Sequence, residues 1–344
     1  MSITTYTSSD QLKNAPHYAG IRAMLDQTPV DHFFQSPEFF EFIEPVKGYK
    51  PIILVATDET GAVAGSLLAA FQADGGKLKS WFSRRLIVWG GPMVADASLE
   101  KQERTAKELL TALKQTARGK AIYIEFRNYF DTAMLQSVFE ATGFTYKPHL
   151  NYLVHLDDED AVQKRMSSNR RRQIKTSLAA GAEISEPSNE EEVRELYAIL
   201  EELYREKVGK PLPSFELFRS YWTSPNGKIF LVKYQGKVMG GSAGPVYKNK
   251  VIYQWYICGD NHSVKGLHSS VLATWAQIEY GLKNGYRLFD FMGAGRPEEA
   301  YGVREFKARF GGEEVSYGRY EKILNPMLYK VGVLGLKLYH KIKR

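Results

Sequence analysis

Residues 287–312 read RLFDFMGAGRPEEAYGVREFKARFGG. An acid, Asp290, stands among Leu288, Phe289 and Phe291 at the end of an apolar strand. Glycines at 293 and 295 then break the chain, and Arg304, Lys307 and Arg309 follow within a short basic segment that also carries Phe306 and Phe310. The plain reading is strand-loop-helix punctuation. The chemical reading is one wall of a site that handles negative charge. A second basic run, KRMSSNRRRQIK at 164–175, holds six cations and no acid. It reads either as a solvated helix face or as a phosphate clamp in which Arg170 and Arg171 fork onto phosphate oxygens.

Other chemistries find little support. The Gly-x-Gly of GAGRPEE lacks a third glycine, and Glu298 and Glu299 would repel a pyrophosphate, so it is no dinucleotide cradle. The seven histidines show no metal-ligand spacing, and no metal is expected. Cys258, the single cysteine, excludes a disulfide framework and sits in the strand-like run YQWYICGD as a small buried hydrophobe. His262 and His268 lie near it in sequence.

Two similar sets of elements must position these residues. In the second half come a strand AEISEP, a helix opened by a capping box of Ser188 and Glu191, and a helix SFELFRSYW. Strands KIFLVKYQ and KVMGGSAGPVY join through a turn at Gly236, and KVIYQWYICGD follows. Then come the amphipathic helix SSVLATWAQIEYGLKNG, ended by Gly285, the strand YRLFDFMG, the helix VREFKARF and a last strand EEVSYGRYEKI. The first half repeats part of this order. Gly61, Val63 and Gly65 echo Gly236, Val238 and Gly240, and Glu125-Phe126 echoes Asp290-Phe291. The expectation is two mixed α/β domains: 1–155, completed by the tail 323–344, and 156–322, which holds the reactive cleft.

Composition sets the outer bounds. The 344 residues are 44% hydrophobic and 25% charged, an ordinary globular balance with room for two domains. A formal charge of +7 favours anionic partners modestly. The opening MSITTYTSSDQLKN has no charged leader or apolar core, and no apolar run reaches the length of a membrane span, so a cytoplasmic protein is expected. The tail carries apolar residues at 327, 328, 331, 334, 338 and 342 on one helical face, with Lys330, Lys337 and Lys341 interleaved. It either packs on the first domain or touches the anionic inner face of the cytoplasmic membrane.

The element order resembles the GNAT acyltransferase fold, in which the fourth and fifth strands splay to admit the acyl donor. Here those strands would be KVIYQWYICGD, with Tyr256 on it, and YRLFDFMG. Two such domains in tandem resemble the Fem family of transferases that add amino acids to peptidoglycan precursors. HFFQSPEFFEFI looks like that family's Gln-Ser and aromatic segment, and NRRRQIKTSLAAGAEI like its basic helix. FDFMGAG…YGVREFKARFGG looks like its Asp-Phe strand end and Phe-Lys…Phe-Gly segment, the most specific of the three matches. One feature departs: the lysine that members carry soon after the early aromatic is missing, and the nearest is Lys47.

The resemblance implies transfer of an aminoacyl group from aminoacyl-tRNA to an amine of a nucleotide- or lipid-linked peptidoglycan precursor, without a bound cofactor. It implies a functional lysine at Lys307. Amide formation from an ester needs a neutral amine, an oriented carbonyl and a donor for the developing oxyanion. Lys307, in a cleft closed by Phe306 and Phe310, would supply that donor, and Asp290 would accept or orient the amine's proton. Arg304, Phe306, Arg170, Arg171, Tyr256 and Lys265 are the expected substrate-binding residues. One alternative is an acyl-CoA-dependent N-acyltransferase acting on an envelope sugar or amine, although NHSVKGLHSS is a poor pyrophosphate loop, with only Lys265 and Gly266 suited to it. Another is a non-catalytic module that binds tRNA or phospholipid.

Overall fold

The computed structural model describes residues 1–28, 30, 32–73, 82–95, 97–209, 211–261, 263–299 and 302–342, with side chains as far as 335. His262, and the tail side chains at 337, 338, 341 and 342, lie outside the described residues. The chain forms two compact units, Met1–Pro148 with Tyr317–Arg344, and His149–Ser316.

In the first unit, β1 (Ser2–Tyr6), β2 (Tyr49–Thr57), β3 (Val63–Gln72), β4 (Arg85–Trp89), β5 (Met93–Val94), β6 (Tyr123–Arg127) and β7 (Thr145–Lys147) build one mixed sheet. In the second, β8 (Asn151–His155), β9 (Ala182–Ser185), β10 (Gly227–Tyr234), β11 (Lys237–Tyr247), β12 (Val251–Tyr253), β13 (Tyr256–Gly259), β14 (Leu288–Asp290) and β15 (Glu313–Val315) build another. The last strand, β16 (Arg319–Ile323), returns to the first sheet. The orders are β1-β2-β3-β4-β6-β16-β7 and β15-β8-β14-β12-β11-β10-β9. In each sheet a strand distant in sequence separates two strands near one edge: β16, the last strand, between β6 and β7 in one, and β8, the unit's earliest strand, between β14 and β15 in the other.

This corrects the expected boundaries. NYLVHLD belongs to the second sheet, and EEVSYGRYEKI is two strands, EEV in the second sheet and RYEKI in the first. Gly318, at φ 68°, turns the chain between them. A strand's alternation shows which side chains go inward but not which edge it joins. The capping box is also displaced by one residue. Asn189 is the N-cap, accepting from the Glu192 amide, while Glu192 reaches back to the Ser188 amide.

The internal repeat has a physical basis in the two hairpins. In β2–β3, Thr57 faces Val63 and Ala56 faces Gly65, so Ala64 bulges. In β10–β11, Lys233 faces Val238 and Val232 faces Gly240, so Met239 bulges. The same Gly-x-Val-x-Gly thus makes turn and bulge twice. Its last glycine pairs in each unit with a short detached strand, Gly65 with Val94 of β5 and Gly240 with Gly259 of β13. At Gly240 a Cβ would meet the Cys258 carbonyl at 2.6 Å.

A hydrophobic core packs against a face of each sheet. In the first, helix Leu99–Ala117 buries Ala106, Leu109, Leu110, Leu113 and Ala117 at helical spacing, against Leu54, Leu67, Val88 and Phe126. In the second, helix Ser269–Lys283 is buried on most of its circumference, with Leu272, Trp275 and Ile278 against Val232, Ile252 and Phe289.

Candidate active site

The second sheet forks at Gln254. Below it, β12 and β14 run parallel, with Val251 opposite Leu288 and Tyr253 opposite Asp290, and the Gln254 amide donates to the Asp290 carbonyl. Beyond it, Tyr256–Gly259 pairs, among the described residues, with β11 alone. This is the splay expected of the fourth and fifth strands, and Asp290 is the last residue before it opens.

Asp290 is 2% exposed. Its Oδ1 accepts from Asn151 Nδ2 and from the Met292 amide, both at 2.6 Å. Asn151 Oδ1 in turn accepts from the Gly293 amide at 2.6 Å. Together they fix the loop leaving β14, in which Met292 (φ 58°) and Gly293 (φ 124°) have left-handed backbones. The plain reading of this stretch, strand-loop-helix punctuation, is therefore present in the structure, with Asp290 capping the loop. Asn151 escaped sequence analysis; its signal was a polar residue opening an otherwise apolar run. Asn151→Ala would leave the Gly293 amide and half of Asp290's support unpaired. We expect a cost of about 1–3 kcal/mol in a denaturant melt of the full chain.

Lys307, on helix Gly302–Ala308, reaches this loop. Its Nζ donates to the Phe291 carbonyl at 2.8 Å and the Gly293 carbonyl at 2.6 Å, and lies 5.5 Å from the Phe291 ring centre. Although the residue as a whole is half-buried, its ammonium is the enclosed end. Burial lowers its pKa to about 8, with Asp290 pulling the other way. Burial likewise raises Asp290 to about 6, against Asn151, the Met292 amide and Lys307. An ammonium has three donors. Two are taken by carbonyls, which leaves one for a ligand oxygen at the mouth of the fork.

The expected binding residues scatter. The three consecutive arginines point three ways. Arg170 is 5% exposed, stacked 4.3 Å from Phe306 and 5.2 Å from Phe310, and donates to Gln173 Oε1 at 2.7 Å and the Phe306 carbonyl at 3.2 Å. Burial, then Arg309, lowers its pKa to about 10. It braces the segment that carries Lys307 and is no open phosphate clamp. Phe306 and Phe310 accordingly face Arg170 and do not close a lid over the lysine. Arg171 holds the Gln163 and Met166 carbonyls at the end of helix Glu159–Arg165. Arg172 is exposed.

Arg304 is spent on the carbonyls of Ala294, Arg296 and Pro297, stapling the loop. Tyr256 is buried beside Phe218, Tyr221 and Trp255. Lys265 is exposed in the turn before helix Ser269–Lys283. Cys258 is buried, its thiol pushed up to about 12 by burial, as an inert hydrophobe would be.

Gln254 is a second residue that sequence analysis passed over. At the fork its Nε2 donates to Thr274 Oγ1 at 3.1 Å and Gln277 Oε1 at 3.0 Å, while its Oε1 is buried without a hydrogen bond. A substrate N–H would satisfy that acceptor.

The echo of this acid in the first unit has a different fate. Burial would raise the pKa of Glu125, but Arg127 at 2.9 Å and Arg319 at 2.7 Å bring it down to about 2. It is a structural ion cluster. The Gln-Ser pair is architectural as well. Gln35 bridges the Leu68 amide and carbonyl to the Trp89 carbonyl, and Ser36 caps helix Pro37–Ile43. Among the described residues no cluster of three His, Cys, Asp or Glu side chains could hold a metal, and no helix is long and apolar enough to cross a membrane.

The acetyltransferase (GNAT) domain family matches residues 164–307, which ends on Lys307. No curated protein sequence matches the chain. Among solved structures, FemX is similar over 96% of this chain and 99% of its own, with a TM-score of 0.68 and 14% identity. A tandem GNAT protein from the clavulanic acid biosynthesis pathway is similar over 94% and 99%, with a TM-score of 0.59 and 11% identity. The C-terminal domain of a putative lysylphosphatidylglycerol synthetase from Agrobacterium fabrum is similar over 95% and 96%, with a TM-score of 0.57 and 14% identity. The fold of the chain is thus like that of FemX and of the tandem GNAT protein, and the match to the acetyltransferase (GNAT) domain family falls within the second unit.

Proposed function

We propose that the second unit transfers an aminoacyl group from aminoacyl-tRNA to an amine of a peptidoglycan precursor, with Lys307 as its catalytic residue. The observation that carries this reading is the Lys307 ammonium, held by two carbonyls beside buried Asp290 where the sheet forks. Attack by a neutral amine makes the new C–N bond and puts negative charge on the carbonyl oxygen, which the third Nζ donor meets. Collapse breaks the ester C–O bond, and the proton lost by nitrogen is the proton gained by the ribose oxygen. Asp290 acts here through the loop and through the charge on Lys307, as a positioning residue, since its Oδ1 is already taken. Gln254 Oε1 suits the amine's N–H. The Phe-Lys…Phe-Gly segment's resemblance to the Fem family supports this donor and acceptor class, and the likeness in fold to FemX agrees with it.

The test supplies purified protein with radiolabelled aminoacyl-tRNAs and, in separate arms, nucleotide-linked muropeptide, lipid-linked muropeptide and phosphatidylglycerol. Label in a muropeptide, absent with Lys307→Ala, is the expected result. Label only in phosphatidylglycerol, or transfer only when acetyl-CoA replaces the tRNA, would sink the reading.

The pH profile follows from the same pair. Lys307 must be protonated to donate, so kcat/KM should fall above about pH 8. Asp290 must be ionised to hold that charge, so it should also fall below about pH 6. Asp290→Asn is expected to remove the acid limb that this carboxylate sets and to move the alkaline limb to lower pH, because the Asp290 charge raises the pKa of Lys307. A profile flat from 5 to 9 (set roughly one unit beyond each limb) would show that neither group matters.

A further inference from the structure

The first unit carries a surface that transfer does not use. Helix Pro326–Ile342 lays Leu328, Tyr329 and Gly332 against its own unit. Tyr329 bonds Glu321 and packs edge-on to Tyr123, and a Cβ at Gly332 would come within 3.2 Å of the Phe82 carbonyl. The expected apolar face therefore divides. Leu328 turns inward, while Met327 (77% exposed), Val331 (46%) and Leu334 (59%), at i, i+4 and i+7, turn to solvent. Lys330 stands exposed among them. This is an uncovered apolar stripe on a helix.

The root of this helix is also one wall of a cavity of about 440 Å³. Leu324, Asn325 and Leu328 form that wall, so the cavity opens beside the first turn of the helix whose outer face carries the stripe. Arg84, Lys114 and Arg118 line the cavity, and no acid does among the described residues. Burial, then the nearby charge of Lys322, lowers the pKa of Lys114. Helix Leu99–Ala117 points its carbonyl end here, which would oppose an anion. However, its last carbonyls accept from the amides of Arg118, Lys120 and Ala121.

We propose that this surface docks on an anionic phospholipid bilayer, with the apolar stripe in the acyl boundary and a lipid phosphodiester in the Arg84–Lys114–Arg118 cavity. The argument is charge complementarity beside uncovered apolar area, the combination that holds interfacial helices. It is independent of the transfer reading.

The test floats the full chain with vesicles of phosphatidylcholine alone or mixed with phosphatidylglycerol, at low and high salt. Binding to the mixed vesicles only, weakened by salt, is expected. Arg118→Gln with Lys330→Gln should weaken it at least tenfold, at about 1 kcal/mol per basic residue. Met327→Ser with Leu334→Ser should weaken it as much again, and all four positions are exposed enough to leave the fold intact. The proposal is overturned by equal binding to phosphatidylcholine alone, by no binding, or by variants that bind as the parent does. A wild-type dimer that the serine variant returns to monomer would give the stripe to a second copy. Inorganic phosphate that raises the melting temperature without any flotation would give the cavity to a free anion.

Discussion

Lys307→Ala is expected to lower kcat for aminoacyl transfer by about 10²–10³-fold, some 3–4 kcal/mol of transition-state stabilisation. The reasoning is geometric. The Phe291 and Gly293 carbonyls fix the ammonium at 2.8 and 2.6 Å, so its remaining donor has little freedom and needs no reorganisation as charge develops. Such preorganised donors act chiefly on the transition state, so kcat and kcat/KM should fall together while KM changes little. Stability should move the other way or not at all. The substitution removes a desolvated cation, which offsets the loss of its bonds to the Phe291 and Gly293 carbonyls. Single-turnover transfer beside a thermal melt separates the effects. An intact rate with an unchanged fold would leave Lys307 as a loop strut and remove the transfer reading's main support.

The largest expected loss of stability lies at Gly244→Ala. Gly244 is on β11 opposite the point where the chain leaves β12 for β13, and an added Cβ would overlap the Tyr253 carbonyl. That carbonyl is backbone inside a paired sheet, so no side-chain rotation relieves the contact. The Trp255 amide donates to the Ala243 carbonyl next door, so the strain falls on the fork itself. Overpacking of this kind costs about 3 kcal/mol, on the order of 10 °C in melting temperature for a unit of this size. Transfer should be lost with it, because the fork sets the spacing between Gln254 and Asp290. A variant that melts within about 2 °C of the parent, less than 1 kcal/mol by the same scaling, would show that the fork tolerates a wider gap.

How far the sequence could be read depended on whether a residue's task was local. Gly-x-Val-x-Gly announced both hairpins because turn and bulge need only the residues that make them. The break at Gly293 and Gly295 announced the loop beyond Asp290 for the same reason. Arg170 was legible as a cation, but not as one that turns inward, because its direction is set by Phe306 and Phe310, 136 and 140 positions away. Asn151 and Gln254 were missed on similar grounds. Each is an ordinary polar residue in a strand until the partner at Asp290 or Gln277 arrives. The destinations of β8 and β16 were the least legible, since edge choice depends on the whole sheet.

Those two strands also bear on how the chain is made. Unit two, residues 149–316, is contiguous and has its sheet complete when Val315 is synthesised. The earlier half cannot close at that stage. β6 and β7 are not neighbours in the finished sheet, and the strand that joins them, Arg319–Ile323, leaves the ribosome only after the whole of unit two. Domains that emerge first usually fold first. Here the N-terminal sheet must wait, with two unpaired edges, until its successor has formed. A chaperone that shields strand edges therefore has a use during synthesis, and a chain that stops at Ser316 would keep its second unit yet expose those edges for good.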